Sequence, residues 1–130
     1  MEKAEKLEFK VGSDTLVLLE NNVVHVILHG PQTLEMAEEL KKICLNLTEQ
    51  LGDLSYLIDL NESGKNEPGA REIWMQLSTH EKTRKAAPYG ANPVARVIAN
   101  FVIGRYEGKN VRFFKSQKKA LEWLMKEDND

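Results

Sequence analysis

The first thirty residues consist of short apolar or alternating segments separated by polar and turn-forming residues, a pattern typical of β-strands. Apolar and charged residues alternate over residues 7–11, and residues 16–19 form a second apolar run before an Asn-Asn dipeptide at 21–22. Such a dipeptide tolerates the left-handed backbone of tight turns. Residues 23–29 are rich in β-branched side chains and stop at a Gly-Pro pair at 30–31. The sequence therefore predicts two or three hairpin strands, the last ending at that pair.

A long helix and a buried strand follow. Thr33 is a suitable N-cap, and apolar residues then recur at helical spacing up to Gly52, which ends the segment. Residues 56–60 are apolar on both faces except at Asp59, as expected for a strand covered on both sides. We expect this strand to lie inside the sheet and to be followed by a polar loop over residues 61–67.

The second half of the chain alternates helices with short strands. Pro68 stands early in a second helix, and residues 86–89 predict a short strand. Asn92 starts a third helix, residues 111–114 predict a last strand, and Ser116 caps a terminal helix. This order predicts an α/β fold, with a mixed β-sheet of about five to six strands and about four helices.

The composition fits one domain without disulfide or metal support. Of the 130 residues, 42% are hydrophobic and 29% charged, and we expect a single domain over residues 1–130 with its core at about 7–124. No segment is long and apolar enough to span a membrane, and the polar N-terminus argues against export. The one cysteine, Cys44, lies in an apolar helical stripe, so we expect a buried structural thiol and a cytoplasmic protein.

The charges are distributed unevenly along the chain. Residues 1–65 carry a net charge of −6, whereas residues 66–130 carry +4. From Lys82 to Lys119 there are ten basic residues and one acid, Glu107. This basic segment indicates either a solvated surface balanced by the acidic half or a site for an anionic partner. Nucleic acid is not the expected partner, because the chain is slightly acidic overall and carries no recognised nucleic-acid motif.

Residue types that carry catalysis or bind metals do not form a recognisable pattern. His25 and His29 lie on one predicted strand, roughly 13 Å apart, too far to ligate one ion together. There is no zinc-type Cys/His spacing, no glycine-rich phosphate loop and no nucleophilic motif. We therefore expect no metal, no cofactor and no enzymatic activity. Asp59 is placed where α/β sheets often present ligand-binding groups, although such an Asp also caps the following turn.

The third predicted helix has more apolar surface than one buried stripe requires. Its main stripe consists of Val94, Val97, Ile98, Phe101 and Val102. A second apolar face consists of Ala95, Ala99 and Ile103. That face predicts a contact with the terminal helix that carries Trp123, a contact with another copy of the chain, or a site for an apolar ligand. The basic side chains of Arg96, Arg105, Lys109 and Arg112 are available for an anionic head group.

The order of these segments resembles a known family. The apolar strand at 56–60, Pro68-Gly69-Ala70, the helix at 95–101 and the Ala-Leu-Glu-Trp-Leu helix at 120–124 occur in the order found in SpoIIAA-like STAS/SEC14 proteins. The resemblance covers roughly residues 7–124 and implies the fold of that family. It leaves the function open, because the family resembles both anti-sigma-factor antagonists, which bind a protein, and lipid-binding domains.

The phosphorylation switch of the family is not expected here. That mechanism requires a Ser or Thr at the start of the helix after the central strand, whereas this chain has Glu67, Pro68 and Gly69. The nearest hydroxyl group is that of Ser63, earlier in the predicted loop. Glu67 is interpreted either as a permanent charge that mimics phosphate or as a carboxylate that favours a helix start.

These observations lead to two functional hypotheses. The first is a non-catalytic STAS-like regulatory or protein-interaction module, and the second is a binder or sensor of an apolar or anionic lipid-like small molecule. The candidate binding residues are Asp59, Ser63, Glu67, Gly69, Arg71, Arg96, Ala99, Phe101 and Arg105. We also expect self-association as a two-fold homodimer, with Ala95 and Ala99 allowing close approach of two copies of the third helix.

Overall fold

The computed structural model describes residues 7–105 and 110–126, without the side chain of Phe101. The strands are β1 (Glu8–Val11), β2 (Asp14–Leu18), β3 (Val23–Gln32), β4 (Leu54–Asn66) and β5 (Thr83–Tyr89). The helices are α1 (Leu34–Leu51), α2 (Pro68–Ser78), α3 (Pro93–Arg105) and α4 (Gln117–Leu124). The sheet order is β1-β2-β3-β4-β5, with β1–β3 antiparallel and β3–β5 parallel. The predicted mixed α/β architecture is confirmed, with five strands in the described part of the chain.

Several helices and strands begin or end at the turn and capping residues that the sequence predicts. Asn21 and Asn22 adopt left-handed φ angles of 62° and 57°, so the predicted turn before β3 is confirmed. The hydroxyl of Thr33 accepts a hydrogen bond from the backbone N–H of Met36 and thereby caps α1. Gly52 ends α1 with a φ of 91°, which favours glycine.

Strands β3 and β4 both run further than the sequence predicts. Their parallel pairing extends, with register shifts, as far as Gln32 and Asn66. The two backbones come close at Gly64, where a Cβ atom would lie 2.7 Å from the nitrogen of Pro31. The prediction of a polar loop at residues 61–67 is therefore wrong for residues 61–66, because pairing with β3 outweighs their low strand propensity. Asn66 consequently lies on a paired strand directly before α2.

The predicted last strand at residues 111–114 is not a continuous strand in the structure. These residues follow the edge of β5 through isolated bridges at Val111 and Phe114. Between the bridged positions of β5 lies Pro88, which has no backbone N–H to donate to the neighbouring segment. The missing donor interrupts the ladder, so the segment covers the sheet edge without becoming a sixth strand.

The sheet separates two apolar layers. Tyr56, Ile58 and Leu60 of β4 face the layer formed with α1, α2 and α3. Leu57 faces the opposite layer, which α4 covers. The predicted contact between α3 and the helix that carries Trp123 is therefore wrong, because these two helices lie on opposite faces of the sheet.

Helix α1 is amphipathic and covers the first of these layers. Cys44 lies on its buried face, where burial raises the pKa of the thiol to about 12. The prediction of a buried thiol is confirmed. Neither α1 nor any other helix of residues 7–105 and 110–126 is long and apolar enough to cross a bilayer.

Candidate functional site

A cleft lies between α2 and α3 on one face of the sheet. Its inner part is an apolar cavity of about 80 Å³ with Leu60 of the sheet at its floor and Trp74 and Met75 of α2 on one wall. Its outer part is an open groove of about 350 Å³. Both parts are lined by Asn66, Arg71, Val97 and Ile98. The shared lining makes the cavity and the groove one continuous cleft.

Helix α3 is fixed beside this cleft by its first turn. The side-chain oxygen of Asn92 accepts a hydrogen bond from the N–H of Ala95 at 2.7 Å, which confirms the predicted helix start. The amide nitrogen of Asn92 donates to the carbonyl oxygens of Leu60 and Asn61 at 2.9 and 2.6 Å. Gly90 allows close packing, because a Cβ atom there would lie 3.0 Å from the Cβ of Ala95. The end of β4 therefore determines where α3 begins.

The cleft contains two polar groups of different kinds. The side-chain Oδ1 of Asn66 is buried and has no hydrogen-bond partner within residues 7–105 and 110–126. The guanidinium group of Arg71 is exposed at the mouth, and no carboxylate in the described residues pairs with it. The cleft thus offers a buried acceptor and an exposed cation beside an apolar interior. Sequence analysis identified Arg71 but missed Asn66, because Asn66 fell within a predicted loop.

A chain of buried polar side chains connects the cleft to the first hairpin. The indole N–H of Trp74 donates to the side-chain oxygen of Gln32, whose amide donates to Asp14 at 2.7 Å. Asp14 also accepts the backbone N–H of His29 at 2.8 Å. Burial raises the pKa of Asp14, although these hydrogen bonds oppose the rise. An acid near a strand start carries no sequence signal for this role, so sequence analysis did not identify it.

Asp59 lies on the other face of the sheet, away from the cleft. Its carboxylate accepts the backbone N–H of Asn61 at 2.9 Å, which agrees with the interpretation as a turn cap. Beside it, Tyr89 and His25 are hydrogen-bonded at 3.0 Å. Burial, together with the charge of Asp59, raises the pKa of Tyr89. Burial lowers the pKa of His25, while Asp59 opposes this change.

Two predicted site residues, Glu67 and Gly69, form a structural contact between α1 and α2, and a third, Ser63, is buried on β4. The carboxylate of Glu67 accepts the N–H of Leu34 at 2.8 Å. Ser63 is 6% exposed, and its hydroxyl donates to the carbonyl oxygen of Gly64 at 3.3 Å. A Cβ atom on Gly69 would lie 3.1 Å from the side chain of Leu34. The contacts of Glu67 and Gly69 with Leu34 hold the two helix starts together, and burial places Ser63 out of reach of a macromolecular partner in this conformation.

The outer face of α3 differs from the sequence-based expectation. Ala95 and Ala99 are 0% and 7% exposed and pack toward the sheet, so they do not form a free face for another copy of the helix. That part of the dimer prediction is wrong. The exposed apolar side chains are Val97 and Ile103, at 59% and 56%. The side chain of Phe101, a predicted binding residue, lies outside the described residues.

A second, more open groove follows the other side of α3. Its volume is about 460 Å³, and its lining includes Arg96, Asn100, Ile103 and Lys115. Ala99 also lines it, which accounts for the small exposure of that residue. Arg105 is exposed at the end of the same helix. The outer surface of α3 therefore combines apolar and basic side chains.

Comparison with known structures identifies the fold class as SpoIIAA-like. An uncharacterized protein of the DUF3478 family with a SpoIIAA-like fold, from Shewanella loihica PV-4, has a TM-score of 0.61 and 16% identity. This match covers 95% of this chain and 98% of the other. The anti-sigma factor antagonist SpoIIAA in its unphosphorylated form has a TM-score of 0.62 and 10% identity, over 86% of this chain and 97% of the other. The resemblance in fold that the sequence indicated is confirmed.

The sequence also assigns the chain to a specific family. The family described as domain of unknown function DUF7793 matches residues 17–127, so the chain belongs to it. A search of curated proteins found no match.

Proposed function

We propose that this chain is a non-catalytic, cytoplasmic regulatory module that binds a protein partner through the outer surface of α3 and the start of α2. The observation that carries the proposal is the exposure of Val97 and Ile103, which are 59% and 56% exposed on one helix. Val97 lies beside the cleft and Ile103 beside the groove on the other side of α3, so the exposed surface of this helix carries a large apolar side chain on each side, as is typical of interaction surfaces. The fold shared with the anti-sigma factor antagonist SpoIIAA supports a regulatory role.

The charges around α3 define the chemistry of the partner. Arg71, Arg96 and Lys115 are exposed near the two apolar side chains, and none of them pairs with a carboxylate within the described residues. They belong to the half of the chain with a net charge of +4. The partner is therefore a protein surface with acidic side chains around an apolar centre. Asp59 and Ser63 are not part of this surface, because one lies on the opposite face and the other is buried.

Matched variants of exposed apolar residues test this surface. The tagged chain is used to capture proteins from a lysate, and captured candidates are purified and measured against each variant. Val97→Asp is expected to abolish binding of the partner, whereas Leu51→Asp, at a 40% exposed position at the end of α1, is expected to retain it. Equal binding by both variants would place the interface elsewhere. Light scattering on the free chain establishes whether a second copy of the chain is the partner.

The cleft between α2 and α3 favours a second function, the binding of an apolar or anionic small molecule. Its interior is apolar, and basic Arg71 and Lys65 stand at its mouth. Native mass spectrometry of the purified chain tests for a bound molecule. A Met75→Trp variant, at a half-buried position of α2 that lines the inner cavity, is expected to lose that molecule while the protein-binding surface of α3 persists, and amide spectra verify that it is folded.

A further inference from the structure

We propose that the cleft binds a small hydroxycarboxylate with a short apolar tail, an inference that rests on the second function above. The inner cavity measures about 80 Å³. A cavity of about 150 Å³ lined by apolar side chains binds benzene, so this one admits a tail of about three to four carbon atoms. A lipid with two long chains does not fit inside it.

Asn66 defines the first polar group of the ligand. Its Oδ1 atom is buried and accepts no hydrogen bond within residues 7–105 and 110–126, and the residue lines both parts of the cleft. An unsatisfied buried acceptor is unfavourable, and a hydroxyl group on a ligand would satisfy it. The ligand therefore has a hydroxyl group at the boundary between its tail and its head.

Arg71 defines the charge of the ligand. Arg71 lines both the cavity and the outer groove, and no carboxylate of the described residues neutralises its guanidinium. A guanidinium group matches the geometry of a carboxylate, with two parallel hydrogen bonds. Lys65, in the outer groove, adds a second positive charge. The head of the ligand is accordingly an anion at the mouth, with its hydroxyl directed inward to Asn66.

Trp74 provides the means to observe binding in this cleft. It lines the inner cavity, and its indole N–H is hydrogen-bonded to Gln32. The other tryptophan, Trp123, lies in the opposite layer against Phe114. A Trp123→Phe variant of the full chain therefore leaves Trp74 as the sole tryptophan fluorophore.

The experiment compares three probes that differ in one group each. 2-Hydroxyhexanoate carries both the carboxylate and the hydroxyl, hexanoate lacks the hydroxyl, and 1,2-hexanediol lacks the carboxylate. We expect 2-hydroxyhexanoate to change Trp74 fluorescence with a Kd on the order of 1 mM or tighter, and each of the other probes to bind about tenfold more weakly.

Variants assign the two contacts separately. Asn66→Ala is expected to weaken 2-hydroxyhexanoate about tenfold and to leave hexanoate unchanged. Arg71→Gln is expected to weaken both acids by about tenfold or more and to leave the diol unchanged. Lys118→Gln, an exposed basic position on α4, is the matched control and should change no affinity. Amide spectra of each variant verify that it is folded.

The outcomes separate this inference from the function on which it rests. If the diol or hexanoate binds as tightly as 2-hydroxyhexanoate, the ligand class is wrong while small-molecule binding stands. If the three probes bind but Asn66→Ala and Arg71→Gln have no effect, the assigned contacts are wrong. If no probe affects Trp74 and native mass spectrometry finds no bound molecule, both the inference and the second function are rejected.

Discussion

The carboxylate of Glu67 accepts a hydrogen bond from the backbone N–H of Leu34, 2.8 Å away, so the residue before α2 stabilises the start of α1. The backbone N–H of Glu67 in turn donates to the carbonyl oxygen of Gln32. Neither of the two interpretations of Glu67 from the sequence describes this contact completely. The carboxylate does favour a helix start, but the helix is α1 rather than α2.

Replacing Glu67 tests this connection between two helices. Glu67→Ala removes a charge-assisted hydrogen bond at a helix N-terminus, and we expect it to lower the free energy of unfolding by about 1 kcal/mol. Urea denaturation measures the change, which should shrink at high salt because Glu67 is exposed. Glu72→Ala, at an exposed position of α2, serves as the control with little expected effect. An unchanged stability for Glu67→Ala would show that the contact is energetically neutral.

The buried hydrogen-bond network around Asp14 predicts a larger loss of stability than the contact of Glu67. Asp14→Ala leaves the N–H of His29 and the amide of Gln32 without their acceptor, so we expect a loss of about 3 kcal/mol in unfolding free energy. Asp53→Ala, at an exposed position, is the matched control and should change stability by less than about 0.5 kcal/mol. Similar urea midpoints for the two variants would contradict the structural role of the network.

His25 predicts a pH dependence of stability. Because burial lowers its pKa, the unfolded chain binds the proton more tightly than the folded chain. The contribution of neutral His25 to the free energy of unfolding is fully present above about pH 6.5, the ordinary pKa of histidine. It is lost as the pH falls through the lowered pKa of the folded state. His25→Gln retains a hydrogen-bonding group for Tyr89 but does not titrate, so it should flatten this part of the curve. An equally steep loss of stability below pH 6.5 in His25→Gln, measured by urea midpoints, would assign the effect to other groups.

Replacing glycine by alanine at two positions is expected to have opposite effects on stability. Gly64→Ala would place a Cβ atom 2.7 Å from the nitrogen of Pro31, and we expect it to destabilise the fold by about 1–3 kcal/mol. Gly104→Ala in α3 meets no atom within 4 Å and should stabilise the chain by up to about 1 kcal/mol. Thermal unfolding of both variants checks the prediction. A tolerated Gly64→Ala would show that β3 and β4 separate easily at this point.

Local patterns were sufficient to predict most of the fold. Thr33, Asn92 and Ser116 were identified as helix starts because each capping side chain acts on its own first turn. The extension of β4 to Asn66 could not be predicted, since it depends on pairing with β3 rather than on the composition of its residues. The interruption of the predicted last strand at residues 111–114 could not be predicted either. It depends on Pro88 of β5, which lies opposite this segment at the edge of the sheet.

The candidate site was predicted less completely than the fold. Arg71 and Arg96 were identified because basic residues near a helix start or on an apolar helix are visible in sequence. The side of α3 that faces the sheet was assigned incorrectly, because alanine and valine are compatible with either side of a helix whose apolar surface is nearly continuous. Asn66 and Val97 became site residues through the position of α3 over β4, which depends on contacts that are distant in sequence.

The most direct test of the proposed protein-binding function is the affinity of the purified partner for the chain, measured by calorimetry at low and high salt. Arg96→Glu reverses an exposed charge on the outer face of α3, and Lys118→Glu reverses one on α4. We predict that Arg96→Glu weakens binding by about tenfold or more at low salt, less at high salt, and that Lys118→Glu has little effect. Equal affinities for the wild type and Arg96→Glu, or an equal loss in both variants, would contradict binding at α3.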